Sequence, residues 1–212
     1  MRQPYRPPRY GDDEMLRRAT AAHERLEGRR TVRHFSADPV PQAVLERVIA
    51  AASTAPSGAH RQPWHFVLVG DPTMKERIRE AAEAEERRNY GGRMPEQWVE
   101  TLKPFGTDAD KPYLETAPWL VALFAQDRGP QGKNYYVSES AGIALGMLIA
   151  ALHEVGLVSV THTPSPMKFL KDLLGRPSGE RAYMLLAVGH PAADCTVPTL
   201  QRKTLEEVLT VL

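Results

Sequence analysis

Apolar positions along the chain fall into helical stripes and short runs rather than one long stretch. Val44, Leu45, Val48, Ile49 and Ala52 recur at helical spacing behind Pro39-Val40-Pro41, so a helix opens there and closes before Pro56. Trp64 to Val69 is dense in aromatic and β-branched residues and is closed by Gly70-Asp71-Pro72, which predicts a buried strand and a turn. Leu120 to Ala125, Leu157 to Val160 and Tyr183 to Val188 read as strands of the same kind. Between Ser138 and Val155 the chain is apolar nearly all round, with Gly142 and Gly146 four apart. That pattern predicts a helix buried on every side against a close backbone neighbour, and a second subunit is a natural source of one. Strands alternating with helices, without repeat or interdomain linker, set the class as α/β or α+β.

The polar extremes mark what lies outside this core. Residues 1–13 combine Pro, Arg and acidic side chains with nothing to bury, so a disordered lead-in is expected ahead of a single domain over 14–212. Asp13 to Gly28 is charged but helix-compatible. Between Lys75 and Arg88 ten of fourteen positions are charged, and Ile78 with three alanines is the whole apolar remainder. A helix so poorly supplied with anchors is expected to act as a lid, spanning about 73–112, with Gly91-Gly92 as hinge. Arg79 with Glu83, and Glu83 with Arg87, are opposite-charge pairs four residues apart on it.

Composition narrows the function. In 212 residues, 42% are hydrophobic, enough for one core, and Lys+Arg 27 against Asp+Glu 26 leaves a net charge of +1. Neither nucleic-acid binding nor a polyanionic tail is expected from that balance. The one cysteine, Cys195, cannot form an intrachain disulfide or a Cys-rich centre, which fits a reducing, cytoplasmic setting. Ala141 to Leu152 falls short of the roughly twenty apolar residues of a membrane span, so no membrane attachment is expected. The seven histidines are scattered, and no metal site is expected.

Dinucleotide, P-loop and nucleophile-elbow motifs are absent, and Gly129-Pro130-Gln131-Gly132-Lys133 fails the P-loop spacing. Four constellations remain. Arg29, Arg30 and Arg33 beside Thr31 form either a phosphate-binding fork set or an ordinary solvated charge run. Ser57-Gly58-Ala59 offers a hydroxyl and unobstructed backbone N–H groups, or is a tight helix-to-strand connection. Thr161-His162-Thr163 follows a strand and can face a ligand. Glu86 and Tyr90 share a helix face, and with Lys111 they can clasp an amino-acid zwitterion, or they are solvated surface.

These segments, together with Trp98-Val99, Thr116-Ala117-Pro118, Leu174-Gly175-Arg176-Pro177 and Arg202-Lys203, resemble the FMN-dependent nitroreductase superfamily and, within it, the iodotyrosine deiodinase family. Their joint order from about Arg29 to near the C-terminus makes the resemblance specific. It implies an α+β sandwich with a central mixed sheet flanked by helices, and an intertwined homodimer with FMN at the subunit interface beneath a lid. It further implies that Arg29, Arg30, Thr31, Arg33 and Arg202 hold FMN, with Ser57, Gly58, Thr161, His162 and Thr163 completing the cofactor site. Thr163 is then the donor to flavin N5, and the Ala59 N–H meets the substrate phenolate. Glu86, Tyr90 and Lys111 bind the substrate zwitterion. His162 stands where the family carries a hydroxyl residue, and a form without the membrane anchor of vertebrate members is expected.

The resemblance thus implies reductive dehalogenation of halotyrosines, with electrons from NAD(P)H or a reductase. A broader NAD(P)H-dependent nitroaromatic or quinone reductase is the alternative, for which the lid triad is incidental. A flavin-free binding protein of the same fold is a further one.

Overall fold

The expected strands assemble into one sheet with helices on both faces. The computed structural model describes residues 2–130 and 132–212; Met1 of the lead-in and Gln131 lie outside the described residues. In chain order come α1 (Asp12–Glu27), α2 (Gln42–Ala52), β1 (Trp64–Val69), α3 (Pro72–Arg88), α4 (Glu96–Leu102), α5 (Tyr113–Thr116) and β2 (Trp119–Gln126). Then follow β3 (Arg128–Gly129), β4 (Gly132–Lys133), α6 (Val137–Glu154), β5 (Val158–His162), α7 (Lys168–Leu173), β6 (Glu180–Gly189) and α8 (Leu205–Val208). None of the described helices is long and apolar enough to cross a membrane.

The main sheet runs β1-β2-β6-β5. Each neighbouring pair is antiparallel, with Trp64 opposite Ala125, Trp119 opposite Val188 and His162 opposite Leu185. The mixed sheet expected from the resemblance is therefore antiparallel among the described strands. Its parallel element is a single bridge, Thr31 to Ser159, with the Val32 N–H donating to the Ser159 carbonyl at 3.2 Å. This bridge seats the arginine-rich segment along the edge of β5.

Alternation along β2 decides which residues meet which helices. Val121, Leu123 and Ala125 join Leu186 and Val188 beneath α2 and α6, against Leu45, Val48, Leu148 and Leu152. Leu120, Ala122 and Phe124 join Leu185 and Ala187 on the opposite face, against Ile78, Ala82, Leu114 and Leu170. A strand covered on both faces must be apolar at successive positions, as β2 is. Each fully buried Leu or Ile contributes about 1.5–3 kcal/mol of burial free energy.

One expectation about helices needs correction. The expectation that α3 has little with which to anchor itself fails because hydropathy undervalues a lysine stem. Lys75 is buried, and its ammonium donates to the carbonyls of Glu115 and Ala117, both at 2.8 Å. Burial holds the Lys75 pKa below the ordinary lysine value, against the pull of Glu115. Arg79 reaches Glu83 at 2.8 Å and Glu115 at 2.5 Å, so the first turns of α3 are fastened to the segment before β2. The expectation for α6 invoked a second subunit, and within one chain the helix leaves one side open. Ser140, Ala141, Ala144, Leu145, Leu148 and Leu152 face the core. Ile143 is 45% exposed, and no atom lies within 4 Å of where a Gly146 Cβ would stand.

Candidate functional site

Thr161, His162 and Thr163 sit at the carboxyl end of β5, where the side chains alternate. Thr161 and Thr163 are exposed, whereas His162 between them is 6% exposed and turned to the helix-covered side. There its Nδ1 lies 3.3 Å from the Tyr113 hydroxyl and its Nε2 lies 3.8 Å from Glu86 Oε1.

Around this point is a cavity of about 440 Å³. Its wall includes Arg33, Glu86, Tyr90, Lys111 and all three residues of the Thr161 to Thr163 stretch. Glu86 and Tyr90, one helical turn apart, straddle the end of α3 and the turn at Asn89–Arg93, where Gly92 takes φ 120. Lys111 arrives from the segment before α5 and donates to Thr107 Oγ1 at 3.4 Å. Its ammonium stands 5.5 Å from the Tyr90 ring centre.

The solvated-surface alternative for this triad fails, because Glu86 is 9% and Lys111 2% exposed. Burial pushes the Glu86 pKa up, opposed by the Lys111 charge and a hydrogen bond from Asn89. Burial pushes the Lys111 pKa down, opposed by Glu86 and Asp108. Two opposite charges thus face one cavity from buried positions, each supporting the ionised state of the other. A molecule carrying both an ammonium and a carboxylate matches that arrangement.

A second cavity, of about 480 Å³, adjoins the first at Thr161. Arg29, Thr31 and Ser159 give it polar atoms, while Leu26, Ile149 and Ala150 give it apolar walls beside the open Gly146. The C-terminal tail closes over the same segment. Arg202 donates to the Arg29 carbonyl at 3.1 Å, and Arg30 donates to the Pro198 carbonyl. The arginine cluster is therefore part-buried and organised, which a solvated charge run is not.

Ser57, Gly58 and Ala59 line neither cavity. They lie at the start of α6, where the Gly58 N–H donates to Ser140 Oγ at 3.5 Å and Ser57 Oγ accepts from the Gln62 N–H at 2.9 Å. Ala59, His60 and Gln62 all take positive φ, near 50. Three such non-glycine residues in one loop concentrate backbone strain of the kind found at binding sites. A separate depression of about 740 Å³ beside β1 holds no cation or nucleophile, and its Asp71 is engaged in capping α3 through the Met74 N–H.

Sequence reasoning gave Glu83 only ion pairs along its own helix and assigned no site role to Asn89, Tyr113 or Arg93. Glu83 Oε1 accepts the backbone N–H of Lys111 at 2.8 Å. Arg93 reaches Glu85 at 2.7 Å and the Ser165 carbonyl at 3.3 Å, tying the turn after α3 to the loop after β5. A signal existed for Glu83, which lies three residues before Glu86 on the same helix.

The nitroreductase family model matches residues 26–190. An iodotyrosine deiodinase of Haliscomenobacter hydrossis is 50% identical over 213 residues, covering 98% of this chain and 96% of that protein. Iodotyrosine deiodinase 1 of Mus musculus is 48% identical, covering 97% of this chain and 74% of that one. Among solved structures, an oxidised iodotyrosine deiodinase bound to FMN and 3-iodo-L-tyrosine matches at a TM-score of 0.79 and 31% identity, over 87% of this chain and 96% of its own. The FMN-dependent nitroreductase NfnB of Mycobacterium smegmatis, in complex with NADPH, matches at 0.69 and 22%, over 92% of this chain and 99% of its own, a likeness of fold.

Proposed function

This chain belongs to the nitroreductase family, and we propose that it removes halogen from halotyrosines with FMN as cofactor, giving tyrosine and halide. The observation that carries this reading is the burial of Glu86 and Lys111 around one cavity with Tyr90. A nitroaromatic or quinone has no zwitterion to justify two buried opposite charges, whose desolvation is costly unless a partner compensates it.

The cavity beside it fits FMN. The Arg29 guanidinium suits a phosphate, the apolar wall of Leu26, Ile149 and Ala150 suits a ring system, and the polar atoms of Thr31 and Thr161 suit its hydrogen-bonding edge. Arg29, Arg30, Thr31, Arg33 and Arg202 would hold the cofactor, with Ser57, Gly58, Thr161 and the main chain alone at His162 completing its site and Thr163 as the donor toward flavin N5. When bound and reduced, FMN supplies two electrons, which no side chain here can deliver, and NAD(P)H or a reductase replenishes them. The ring–halogen bond breaks, halide departs with its electron pair, and a proton takes its place on the ring.

The chain's own residues bind and orient the substrate. Glu86 accepts the ammonium, Lys111 meets the carboxylate together with the Tyr90 hydroxyl, which must turn to it from the Thr107 carbonyl that it meets at 3.2 Å, and the Ala59 N–H meets the phenolate. Because the Ser57 to Ala59 loop lines neither cavity of its own chain, a second copy supplies it. The open stripe of α6 at Ile143 and Gly146 supports that homodimer. Within the segment from about 73 to 112, the part beyond the fastened first turns of α3 forms the lid, hinged at Gly91-Gly92.

The test is anaerobic titration of dithionite-reduced, FMN-loaded protein with 3-iodotyrosine. Flavin reoxidation matched by tyrosine release is expected. A flavin that stays reduced with iodotyrosine but reoxidises with a nitroaromatic would overturn the reading.

A further inference from the structure

His162 is a buried imidazole that the reaction as described does not use. Its Nε2 is the one fully buried side-chain nitrogen or oxygen without a hydrogen-bond partner among the described residues. The atom is aimed at Glu86 Oε1, 3.8 Å away. At the other end of the ring, Nδ1 meets the Tyr113 hydroxyl at 3.3 Å, with the two rings nearly perpendicular at 87°.

The protonation states follow from the surroundings. Burial raises the Tyr113 pKa well above the ordinary phenol value, so the hydroxyl keeps its proton and can donate or accept. The carboxylate facing Nε2 accepts only, which favours the tautomer with its hydrogen on Nε2, and Nδ1 then accepts from the Tyr113 hydroxyl. Burial, with the charges of Lys111 and Arg33, keeps the ring neutral, its pKa pushed down to about 3. The result is one N–H donor, locked in direction, facing the Glu86 carboxylate.

We infer that His162 is a positioning residue for Glu86: anchored by Tyr113, its Nε2–H closes on the carboxylate as ligand binds and leaves the remaining oxygen lone pairs to the ligand's ammonium. The inference rests on the halotyrosine reading above. A carboxylate shifted by less than about 1 Å would bring the pair to ordinary hydrogen-bond distance. Lys111 and Asn89 also bear on Glu86, the first by its charge and the second by a hydrogen bond. Strand alternation turns this ring away from the side occupied by Thr161 and Thr163, so flavin binding should not depend on it.

The test measures the affinity of oxidised, FMN-loaded protein for 3-iodotyrosine by the change in flavin fluorescence. His162→Phe should weaken binding about tenfold with flavin content unchanged, the size of losing one hydrogen bond to a charged group. His162→Gln, which keeps an amide donor at similar reach, should recover most of that. In a Glu86→Gln background His162→Phe should cost less than about twofold, and affinity for 2-iodophenol, which lacks an ammonium, should not change with it. Unaltered iodotyrosine binding in His162→Phe, full additivity with Glu86→Gln, or an equal loss for 2-iodophenol would each overturn the inference. Failure of the unaltered protein to bind 3-iodotyrosine would instead overturn the substrate reading. The contact itself is then decided by imidazole ¹⁵N NMR: an Nδ1–H tautomer, or no response of the ring to Glu86→Gln, would overturn it.

Discussion

The carboxylate of Glu83 accepts the main-chain N–H of Lys111 at 2.8 Å, joining the two ends of a 28-residue excursion over the cavity. Its other oxygen is held by Arg79 at 2.8 Å and Arg87 at 3.7 Å. Glu83→Ala would strand a buried backbone donor and should lower stability by roughly 1–3 kcal/mol. It should also speed trypsin cleavage after Arg87 and Arg88, while Glu83→Gln, which keeps the acceptor, should do less of both. Melting and cleavage indistinguishable from those of the unaltered protein would show that the tie does not hold the segment.

Arg202 donates to the carbonyl of Arg29, and both guanidinium groups border the segment assigned to FMN. Arg29→Gln should lower the flavin retained through purification about tenfold, the loss of one charge-assisted contact to phosphate, and Arg202→Gln should lower it by less. The ratio of flavin to protein absorbance reads this directly. Full flavin content in both variants would remove these arginines from the cofactor site.

The buried, neutral His162 predicts an acid limb in stability. The unfolded chain takes up a proton at His162 near pH 6.5, whereas the folded chain resists it down to about 3. The stabilisation is therefore complete above pH 6.5 and is lost progressively as pH falls from there toward about 3, by a few kcal/mol at most. Glu86, whose pKa is raised, acts in the opposite sense, since the folded state holds its proton more readily. His162→Gln should flatten the fall in urea midpoint between pH 7.5 and 4.5. Parallel curves would assign that limb to other groups.

Gly146 lies on the open stripe of α6, with nothing within 4 Å of the place a methyl group would take there. In an isolated chain Gly146→Ala should raise stability by about 0.5–1 kcal/mol, because glycine is unfavourable inside a helix. In a homodimer packed at this stripe, Gly146→Leu should shift the species seen by light scattering from dimer to monomer and empty the flavin site. A dimer that tolerates leucine here would place the subunit contact elsewhere.

The most regular elements were legible in the sequence. Trp64–Val69 is the strand its aromatic and β-branched run predicts, and α2 and α6 start and stop within a residue or two of their patterns. What pattern could not supply were partners distant in sequence. Lys75 reads as surface because the carbonyls that receive it belong to Glu115 and Ala117. Likewise β6 begins at Glu180 rather than Tyr183, since Glu180 is held by Arg176 and Gln126 rather than by hydropathy. At the site, Glu86, Tyr90 and Lys111 could be singled out by residue type and brought together by resemblance, but their burial depended on α3 being fastened. The ring direction of His162 follows from simple alternation along β5, whereas its anchor, Tyr113, comes from another element altogether.

The left-handed run at Ala59, His60 and Gln62 has a consequence for how such a site drifts over generations. A donor that belongs to the main chain survives almost any change of side chain at its position. Ala59→Gly would relieve strain and leave the N–H in place; Ala59→Pro would both delete it and demand an incompatible φ. On the role proposed for the Ala59 N–H, recognition is written into backbone shape and carried by a residue whose identity advertises nothing, and a comparison of side chains alone would count this position as free to vary.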